Sequence, residues 1–346
     1  MRIKNKISLY TKLSLIPKGK THATILSPFL GNVEVDTNDT EYGRFDEYTA
    51  NGQDVFLLTE IPTEADFFLL PFEFSFAAED INVAKQFSEM AKEYDKKLLI
   101  FFNSDSVEPI QIDNSIVFRT SFFKSLQKNN EFAIPGWSVD FMKSKEINSF
   151  NDSYSNQPSI SYCGYVDYLT FTERFSIEKV IKKLKKRSVI TKEIGPGLRG
   201  KAVRTLLKSD QIKTNFIIRN GFWAPGMDKK KARQEYISNI FQSDYALVAR
   251  GKGNFSYRLY EVLSCGRIPV FINTDCVLPF DTIIDWKKYV VWIEENDIDT
   301  IAERLIEYHK KLTVEELRNK QVDCRKLYED WLSPNAFFSN IHKCLN

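Results

Sequence analysis

Short apolar runs alternate with amphipathic stretches along most of the chain. In the first half, Phe67 to Leu70 is an apolar run closed by Pro71, and Leu98 to Phe102 is a second apolar run. Between them, Ala77 to Tyr94 has the residue spacing of a helix. Because buried parallel strands read as continuous apolar runs, this order predicts a β-α-β unit. A further helix is predicted over Ser121 to Lys128.

The alternation resumes after a polar stretch and predicts a second α/β half. Residues 143–158 are polar and cannot supply a core, so we interpret them as a linker. The predicted organisation is an N-terminal α/β domain over 1–142, a C-terminal α/β domain over 159–334 and a final helix over 335–346. The second half is predicted to contain strands at Ile160–Cys163, Asn215–Arg219, Tyr245–Ala249, Ile268–Ile272 and Tyr289–Ile293, and helices at Thr172–Arg187, Gly200–Lys208, Asp228–Phe241, Asp299–His309 and from Thr313 towards Trp331.

The most informative stretch runs from Tyr245 to Val270 and reads as strand, loop, helix, strand. Gly251 and Gly253 follow the first strand and are expected to let the chain turn without a Cβ penalty. Gly266 stands where a left-handed C-terminal cap of the helix is expected. This is a second βαβ unit.

Polar residues crowd the loop and the first helical turn of this unit. Arg250, Ser256 and Arg258 surround a helix N-terminus, which already carries positive partial charge. Arginines are favourable there when an anion lies among them, and a diphosphate fits guanidinium groups and free backbone N–H groups. Glu261, one turn later, is placed to accept hydrogen bonds from ribose hydroxyls. The alternative is an ordinary surface ion pair between Arg258 and Glu261.

Composition narrows the class of protein. The 346 residues are 43% hydrophobic, which is enough to bury a large core, and the net charge of +2 favours no particular partner. No run of 18 apolar residues exists, and the first ten residues lack the apolar core of a signal peptide, so we expect a cytoplasmic protein. The five cysteines show no C-x-x-C spacing and are expected to be reduced thiols.

The ordered residues of the central unit resemble the signature of the exostosin family of glycosyltransferases. The matching positions are Arg250-Gly251, Ser256, Arg258, Glu261 and Gly266-Arg267-Ile268-Pro269-Val270. Elements similar to those that follow in the family are Leu278-Pro279-Phe280, Ile284-Asp285-Trp286 and Glu295-Asn296-Asp297-Ile298, and Glu64 to Phe72 resembles its N-terminal hallmark. The resemblance spans most of residues 60–300 and is dense over 245–298. The glycine-arginine-aspartate-histidine element expected after Phe72 is absent.

The resemblance implies a GT-B-like fold, in which two Rossmann-type domains face a central cleft and helices follow at the C-terminus. It also implies a nucleoside diphosphate sugar as donor substrate, with UDP as the nucleotide, and transfer to a glycan with inversion. Since the animal members are membrane-anchored, a chain without an anchor looks like a bacterial or viral enzyme of polysaccharide or lipopolysaccharide biosynthesis. In this family the final helix often returns to the N-terminal domain, which we expect for Asn335 to Leu345.

An inverting transfer needs a general base from the N-terminal half. Glu73 and Asp105 each follow a predicted strand and would lie on loops at the cleft. Gly164 follows the first strand of the second half, where close backbone approach to a ligand favours glycine. No metal site is predicted, because Asp297 and Asp299 precede a helix and are interpreted as N-terminal capping residues.

Further charged groups leave several interpretations open. One of Arg199, Arg204 and Arg219 could reach the phosphate cleft, or all could be solvated. The cationic stretch Lys179 to Arg187 could contact anionic lipid and bring the enzyme to a lipid-linked glycan, or form a solvated helix face. The nearly balanced charge argues against nucleic acid as a partner. The rival functions are a GDP-sugar transferase of the fucosyltransferase type and a non-catalytic subunit of glycan assembly.

Overall fold

The computed structural model describes residues 6–34, 36–143, 155–166, 195–221 and 225–345. Most of the predicted linker and the whole of the predicted cationic stretch Lys179 to Arg187 lie outside these residues. The helix predicted over Thr172 to Arg187 lies outside them as well.

The N-terminal half is built on a six-stranded sheet with the order β2-β1-β3-β4-β5-β6, in which every neighbouring pair is parallel. Its central strands are buried along their whole length, as continuous apolar runs predict. The strands are β1 (Ile7–Tyr10), β2 (Phe56–Thr59), β3 (Phe67–Leu69), β4 (Leu98–Phe102), β5 (Ser115–Arg119) and β6 (Glu131–Ala133). The helices of this half are α1 (Ser27–Leu30), α2 (Asp46–Asn51) and α3 (Ala78–Glu93).

The helix predicted over Ser121 to Lys128 is wrong. Only a single 3-10 turn forms there, at Lys124–Leu126. The backbone N–H of Lys124 donates to the carbonyl of Asp275 in the other half of the molecule, and the Ser121 hydroxyl accepts from the N–H of Asn254. These hydrogen bonds across the molecule replace those that a helix would have made.

The C-terminal half contains a five-stranded parallel sheet with the order β11-β10-β9-β7-β8. Its strands are β7 (Ser159–Tyr165), β8 (Lys213–Arg219), β9 (Tyr245–Val248), β10 (Ile268–Asn273) and β11 (Val291–Glu294). The helices are α4 (Gly195–Leu207), α5 (Lys229–Phe241), α6 (Tyr257–Ser264), α7 (Ile301–Lys310), α8 (Val314–Leu327), α9 (Pro334–Asn340) and α10 (His342–Leu345).

Local sequence signals set several helix ends in this half. Gly266 follows α6 with a φ of 59°, which is the left-handed conformation that its position predicted. Thr313 and Glu316 form the reciprocal capping box that starts α8. Pro334 is the first residue of α9, where its missing N–H costs nothing.

The last helices pack onto the N-terminal half. The Phe338 ring of α9 stacks on Tyr48, with ring centroids 4.1 Å apart, and lies 5.7 Å from Trp137. Phe337 contacts Phe118 of β5. The chain therefore crosses back to the first sheet after it has completed the second.

The carboxyl ends of the strands in the two sheets meet at a joint between the halves. Beyond β4, the Asp105 carboxylate accepts a hydrogen bond from the N–H of Gly253, which follows β9. At the C-terminal end of α6, the Arg325 guanidinium donates hydrogen bonds to both carboxylate oxygens of Asp140, at 2.7 and 2.8 Å. The predicted pair of Rossmann-type α/β halves with C-terminal helices is confirmed.

Two further expectations concern the whole chain. All five cysteines are free thiols. Over the part of the chain that the structure describes, the helices lack the length and apolar content that a membrane span requires.

Candidate functional site

The loop between β9 and α6 is shaped by contact with the N-terminal half. A Cβ on Gly253 would lie 2.8 Å from the Cα of Asp105, so only glycine fits there. A Cβ on Gly251 would meet nothing closer than 3.8 Å. Neither glycine has a positive φ. We expected both glycines to permit a turn that a side chain would strain, and this expectation is wrong. Close packing against Asp105 explains the glycine at 253, but not the one at 251.

Arg258 projects from the first turn of α6 to the carboxyl end of β7. Its guanidinium lies between the rings of Tyr162 and Tyr236, at 4.5 and 5.0 Å from their centroids, and donates to the carbonyl of Cys163. A Cβ on Gly164 would be 3.1 Å from Arg258 Nη2. The structure thus brings Gly164 and Arg258 together, and the glycine leaves room for the guanidinium.

Arg199 reaches the same end of β7 from α4. Its Nη1 donates to the carbonyl of Tyr165 at 3.1 Å and lies 3.4 Å from the Tyr162 hydroxyl. Arg219, by contrast, binds Glu235 at 2.7 Å and the carbonyl of Ala232. Arg199 is therefore held next to Arg258, whereas Arg219 is bound elsewhere.

Arg250 stands at the carboxyl end of β9, the strand beside β7. Its Nη2 donates to the carbonyl of Lys252 at 3.2 Å. Its Nε is buried and has no hydrogen-bond partner among the described residues. Burial lowers the pKa of Arg250, while Glu295, Cys276 and Asp105 act in the opposite direction. A buried donor without an acceptor is a position at which a ligand oxygen would be stabilised.

Ser256 occupies the N-terminal cap position of α6, yet its hydroxyl makes no capping hydrogen bond. The hydroxyl therefore remains available beside the first N–H groups of the helix. Such N–H groups lack partners within the helix and bind anions.

Glu261 lies one turn into α6 and is held by a tyrosine. Its carboxylate accepts a hydrogen bond from the Tyr236 hydroxyl. Burial raises the pKa of Glu261 to about 7, the charge of Glu41 acts in the same direction, and Tyr236 and Arg258 oppose the rise. The ion pairs among the described residues do not include one between Arg258 and Glu261, so the surface-pair interpretation is wrong.

One segment of the chain contains Arg199, Arg250, Ser256, Arg258 and Glu261. Residues 192–308 match the family model of the Exostosin GT47 domain. Over these residues the chain is similar to the Exostosin GT47 domain.

Known proteins that are similar in sequence also match this chain over short segments only. The exostosin-1 homolog of Caenorhabditis elegans is 34% identical over 100 residues, which is 29% of this chain and 25% of the relative. A probable glucuronosyltransferase, GUT1, of Oryza sativa subsp. japonica is 37% identical over 71 residues, which is 20% of this chain and 17% of the relative. The matches thus cover a quarter or less of these relatives' own length.

Among solved structures, the chain is similar to the catalytic domain of starch synthase IV from Arabidopsis thaliana bound to ADP and acarbose. That similarity has a TM-score of 0.37 at 9% identity and covers 91% of this chain and 78% of that chain. Sucrose-phosphate synthase from Thermosynechococcus elongatus gives a TM-score of 0.34 at 9% identity and covers 99% of this chain and 98% of that chain.

The two carboxylates predicted as general bases lie outside the matched segment 192–308 and in different surroundings. Asp105 is exposed, lies against the β9–α6 loop and interacts electrostatically with Arg250. Glu73 accepts a hydrogen bond from the N–H of Thr24, and its Oε2 is buried without a hydrogen-bond partner among the described residues. Burial raises the pKa of Glu73. Asp105 is therefore the carboxylate in contact with the matched segment 192–308.

Three residues that interact with Glu261 were not predicted from the sequence: Glu41, Arg233 and Tyr236. Glu41 belongs to the N-terminal half but pairs with Arg233 of α5, and its Oε2 accepts from the N–H of Val139 at 2.9 Å. Arg233 packs on the Phe141 ring at 4.9 Å. Glu41 lies in a turn-rich polar stretch, where the sequence carries no signal that could have singled it out.

The acidic pair Asp297 and Asp299 does not cap a helix. Asp297 pairs with Arg304 at 3.0 Å and Asp299 with Lys201 at 2.9 Å, while the N-terminal cap position of α7 is Thr300. The capping interpretation is therefore wrong. Within the described ranges, no three His, Cys, Asp or Glu side chains are grouped as a metal site would require.

Proposed function

We propose that the protein is a glycosyltransferase that moves a sugar from a UDP-sugar to a hydroxyl group of a glycan, with inversion at the anomeric carbon. The observation that carries this proposal is the convergence of Arg258, Arg199 and Gly164 at the end of β7, beside Arg250 at the end of β9. Ligands of parallel α/β sheets bind at such strand ends. The Exostosin GT47 match over residues 192–308 supports the reaction class.

In this proposal, Arg250, Arg258 and Arg199 bind the diphosphate together with the Ser256 hydroxyl and the first N–H groups of α6. The N–H of Gly251, which the sequence also suggested for this role, donates instead to the carbonyl of Phe255 at 2.9 Å. Glu261 accepts hydrogen bonds from the ribose hydroxyls. When the sugar leaves, negative charge grows on the departing diphosphate, and fixed guanidinium groups stabilise that charge in the transition state. Because these groups supply positive charge, donor binding needs no metal ion.

Asp105 is the better candidate for the general base. It is a carboxylate of the N-terminal half, and its Oδ1 lies 3.2 Å from the backbone nitrogen of Gly253. This position is next to the proposed diphosphate site. In the step, the carboxylate takes the proton of the acceptor hydroxyl, whose oxygen forms a bond to the anomeric carbon. The bond from that carbon to the phosphate oxygen breaks, and its electron pair leaves with UDP.

The acceptor is proposed to be an oligosaccharide or a lipid-linked glycan of polysaccharide biosynthesis, reached in the cytoplasm at the inner face of a membrane. Membrane contact through Lys179 to Arg187 stays a prediction from the sequence, because that stretch lies outside the described residues.

A calorimetric titration of the protein with UDP, GDP and CMP in excess EDTA tests the donor site. We expect UDP to bind with a Kd in the range of about 1 μM to 1 mM and GDP and CMP at least about tenfold more weakly. Tighter binding of GDP would favour a GDP-sugar transferase. Absence of any nucleotide binding would favour a non-catalytic subunit, and binding of UDP only after a divalent cation is restored would refute metal independence.

The substitution Asp105→Asn tests the base, because asparagine can still accept the hydrogen bond from Gly253. Turnover of UDP-sugar should fall by about 10²- to 10⁴-fold while UDP affinity stays within about twofold. The matched variant is Glu73→Gln. If Glu73→Gln abolishes turnover and Asp105→Asn does not, the roles of the two carboxylates are reversed.

A further inference from the structure

A second concave site lies beside the β9–α6 loop, at the joint between the two halves. It is a cavity of about 300 Å³ between the end of β10 and the segment that leads to β11. That volume is at the lower end of the range for ligand sites, about 300–1,000 Å³. Its walls include Asn273, Asp281, Asp285 and Trp292 of the C-terminal half and Lys124 of the N-terminal half.

The cavity has an apolar floor and a fixed aromatic wall. Leu278, Ile284 and Trp286 are buried beneath it, and the Trp286 Nε1 donates to the carbonyl of Pro279 at 3.0 Å. Trp292 is partly exposed, and its Nε1 donates to Glu294 Oε1 at 2.7 Å. The two indole rings are thus oriented before a ligand arrives, which lowers the entropic cost of binding.

Charged groups of both signs surround the cavity, and the Lys287 ammonium lies over the Trp292 ring, 5.5 Å from its centroid. Lys124 pairs with Asp281 at 2.8 Å, and the Asp275 carboxylate accepts from the Ser125 hydroxyl at 2.6 Å. Asp285 is exposed and lies 3.8 Å from Lys288. Carboxylates at the wall disfavour a phosphate, and the polar rim disfavours a purely apolar ligand. A neutral molecule with hydroxyl groups on its edge and an apolar face satisfies both conditions.

The cavity adjoins the proposed donor site. Cys276 and Leu278 line it and also line the smaller cavity that Arg250 and Ser256 border. The two cavities therefore share these two side chains as a common wall.

We propose that this cavity is a subsite for one neutral sugar residue of the acceptor glycan, packed against the exposed part of Trp292 and bonded by Asp285 and Asn273. The proposal rests on the glycosyltransferase function above, since it takes the occupant to be part of the acceptor. It gives the C-terminal half a role in holding the acceptor as well as the donor.

Saturation-transfer NMR tests the subsite with a set of probes: the methyl glycosides of glucose, galactose, mannose and N-acetylglucosamine, their β-linked disaccharides, and methyl glucuronide as the charged comparison. At least one neutral probe should receive saturation, and the glucuronide should receive less. Trp292→Ala should weaken binding of that probe by about tenfold, and Trp292→Phe, which keeps a ring, should weaken it by no more than about threefold. Asp285→Asn, at an exposed side chain, should weaken it by about three- to tenfold.

The inference is overturned if no neutral probe receives saturation, if the glucuronide binds best, or if Trp292→Ala and Asp285→Asn both bind the sugar as the wild type does. UDP titration of each variant separates this outcome from failure of the donor proposal. If wild-type protein binds UDP and no sugar, only the subsite is wrong. If it binds a sugar through Trp292 but no nucleotide, the cavity is a glycan site and the transferase function is wrong.

Discussion

At the scale of single residues, the side chains of the site are oriented by direct contacts with one another. Tyr236 contacts both Arg258 and Glu261, so one tyrosine of α5 orients the two functional groups of α6. The buried carboxylate and the guanidinium are therefore preorganised by a residue outside the exostosin signature. Two substitutions test this arrangement.

Replacing Arg258 with alanine should weaken UDP binding by about 10- to 100-fold, because a hydrogen bond from a charged group is worth about 1.5–3 kcal/mol. It should also lower the free energy of unfolding by about 1–2 kcal/mol, because the guanidinium is packed between two rings and bonds a carbonyl. Calorimetric titration and urea unfolding measure the two effects. Arg318→Ala, at an exposed position of α8, is the control. Unchanged UDP affinity in Arg258→Ala would rule out its role at the diphosphate.

Glu261 should make stability depend on pH. Its pKa is raised from 4.5 to about 7 in the folded protein, so the folded state holds the proton more tightly than the unfolded chain. The stabilisation is complete below the unfolded pKa and is lost as pH rises through the folded pKa. Between about pH 5 and about pH 8, Glu261→Gln should gain stability relative to wild type by on the order of 1 kcal/mol or more.

Urea unfolding at several pH values measures this difference, and the exposed Glu303→Gln on α7 is the control. A difference between wild type and Glu261→Gln that stays constant over this range would show that the pKa of Glu261 is not raised.

At the scale of elements, the β9–α6 loop depends on the N-terminal half for its shape. Gly253→Ala would place a Cβ 2.8 Å from the Asp105 Cα and 3.0 Å from its carbonyl oxygen, so backbone must move. The free energy of unfolding should fall by about 1–3 kcal/mol, as overpacking usually costs. Gly251→Ala, in the same loop with nothing nearer than 3.8 Å, should change it by less than about 0.5 kcal/mol. Equal effects of the two substitutions in urea unfolding would contradict this explanation.

At the scale of the whole molecule, the C-terminal helix connects the two halves. Phe338 of α9 stacks on Tyr48 and contacts Phe101 and Trp137, all of the N-terminal half. Phe338→Ala should therefore lower the free energy of unfolding by about 3–5 kcal/mol, the usual cost of removing a buried ring. The control is Val322→Ala on α8, where the side chain is 63% exposed. A loss of less than about 1 kcal/mol in urea unfolding would show that α9 does not hold the halves together.

Much of the fold could be predicted because its signals are local. Buried parallel strands such as Leu98–Phe102 read as continuous apolar runs, and helix ends such as Thr313 and Gly266 carry their own capping residues. The exostosin signature also lies within one short segment of the chain. The sequence by itself therefore determined the two α/β halves and the group of residues around α6.

Only the tertiary structure decided which groups meet across the joint. Arg233 and Glu41 are 192 residues apart in the chain, and Gly253 and Asp105 are 148 apart. Such pairs depend on how the two sheets are placed against each other, which no local pattern encodes. For the same reason Ser121 to Lys128 is not a helix: its backbone bonds residues of the other half, and those partners are invisible in its own sequence.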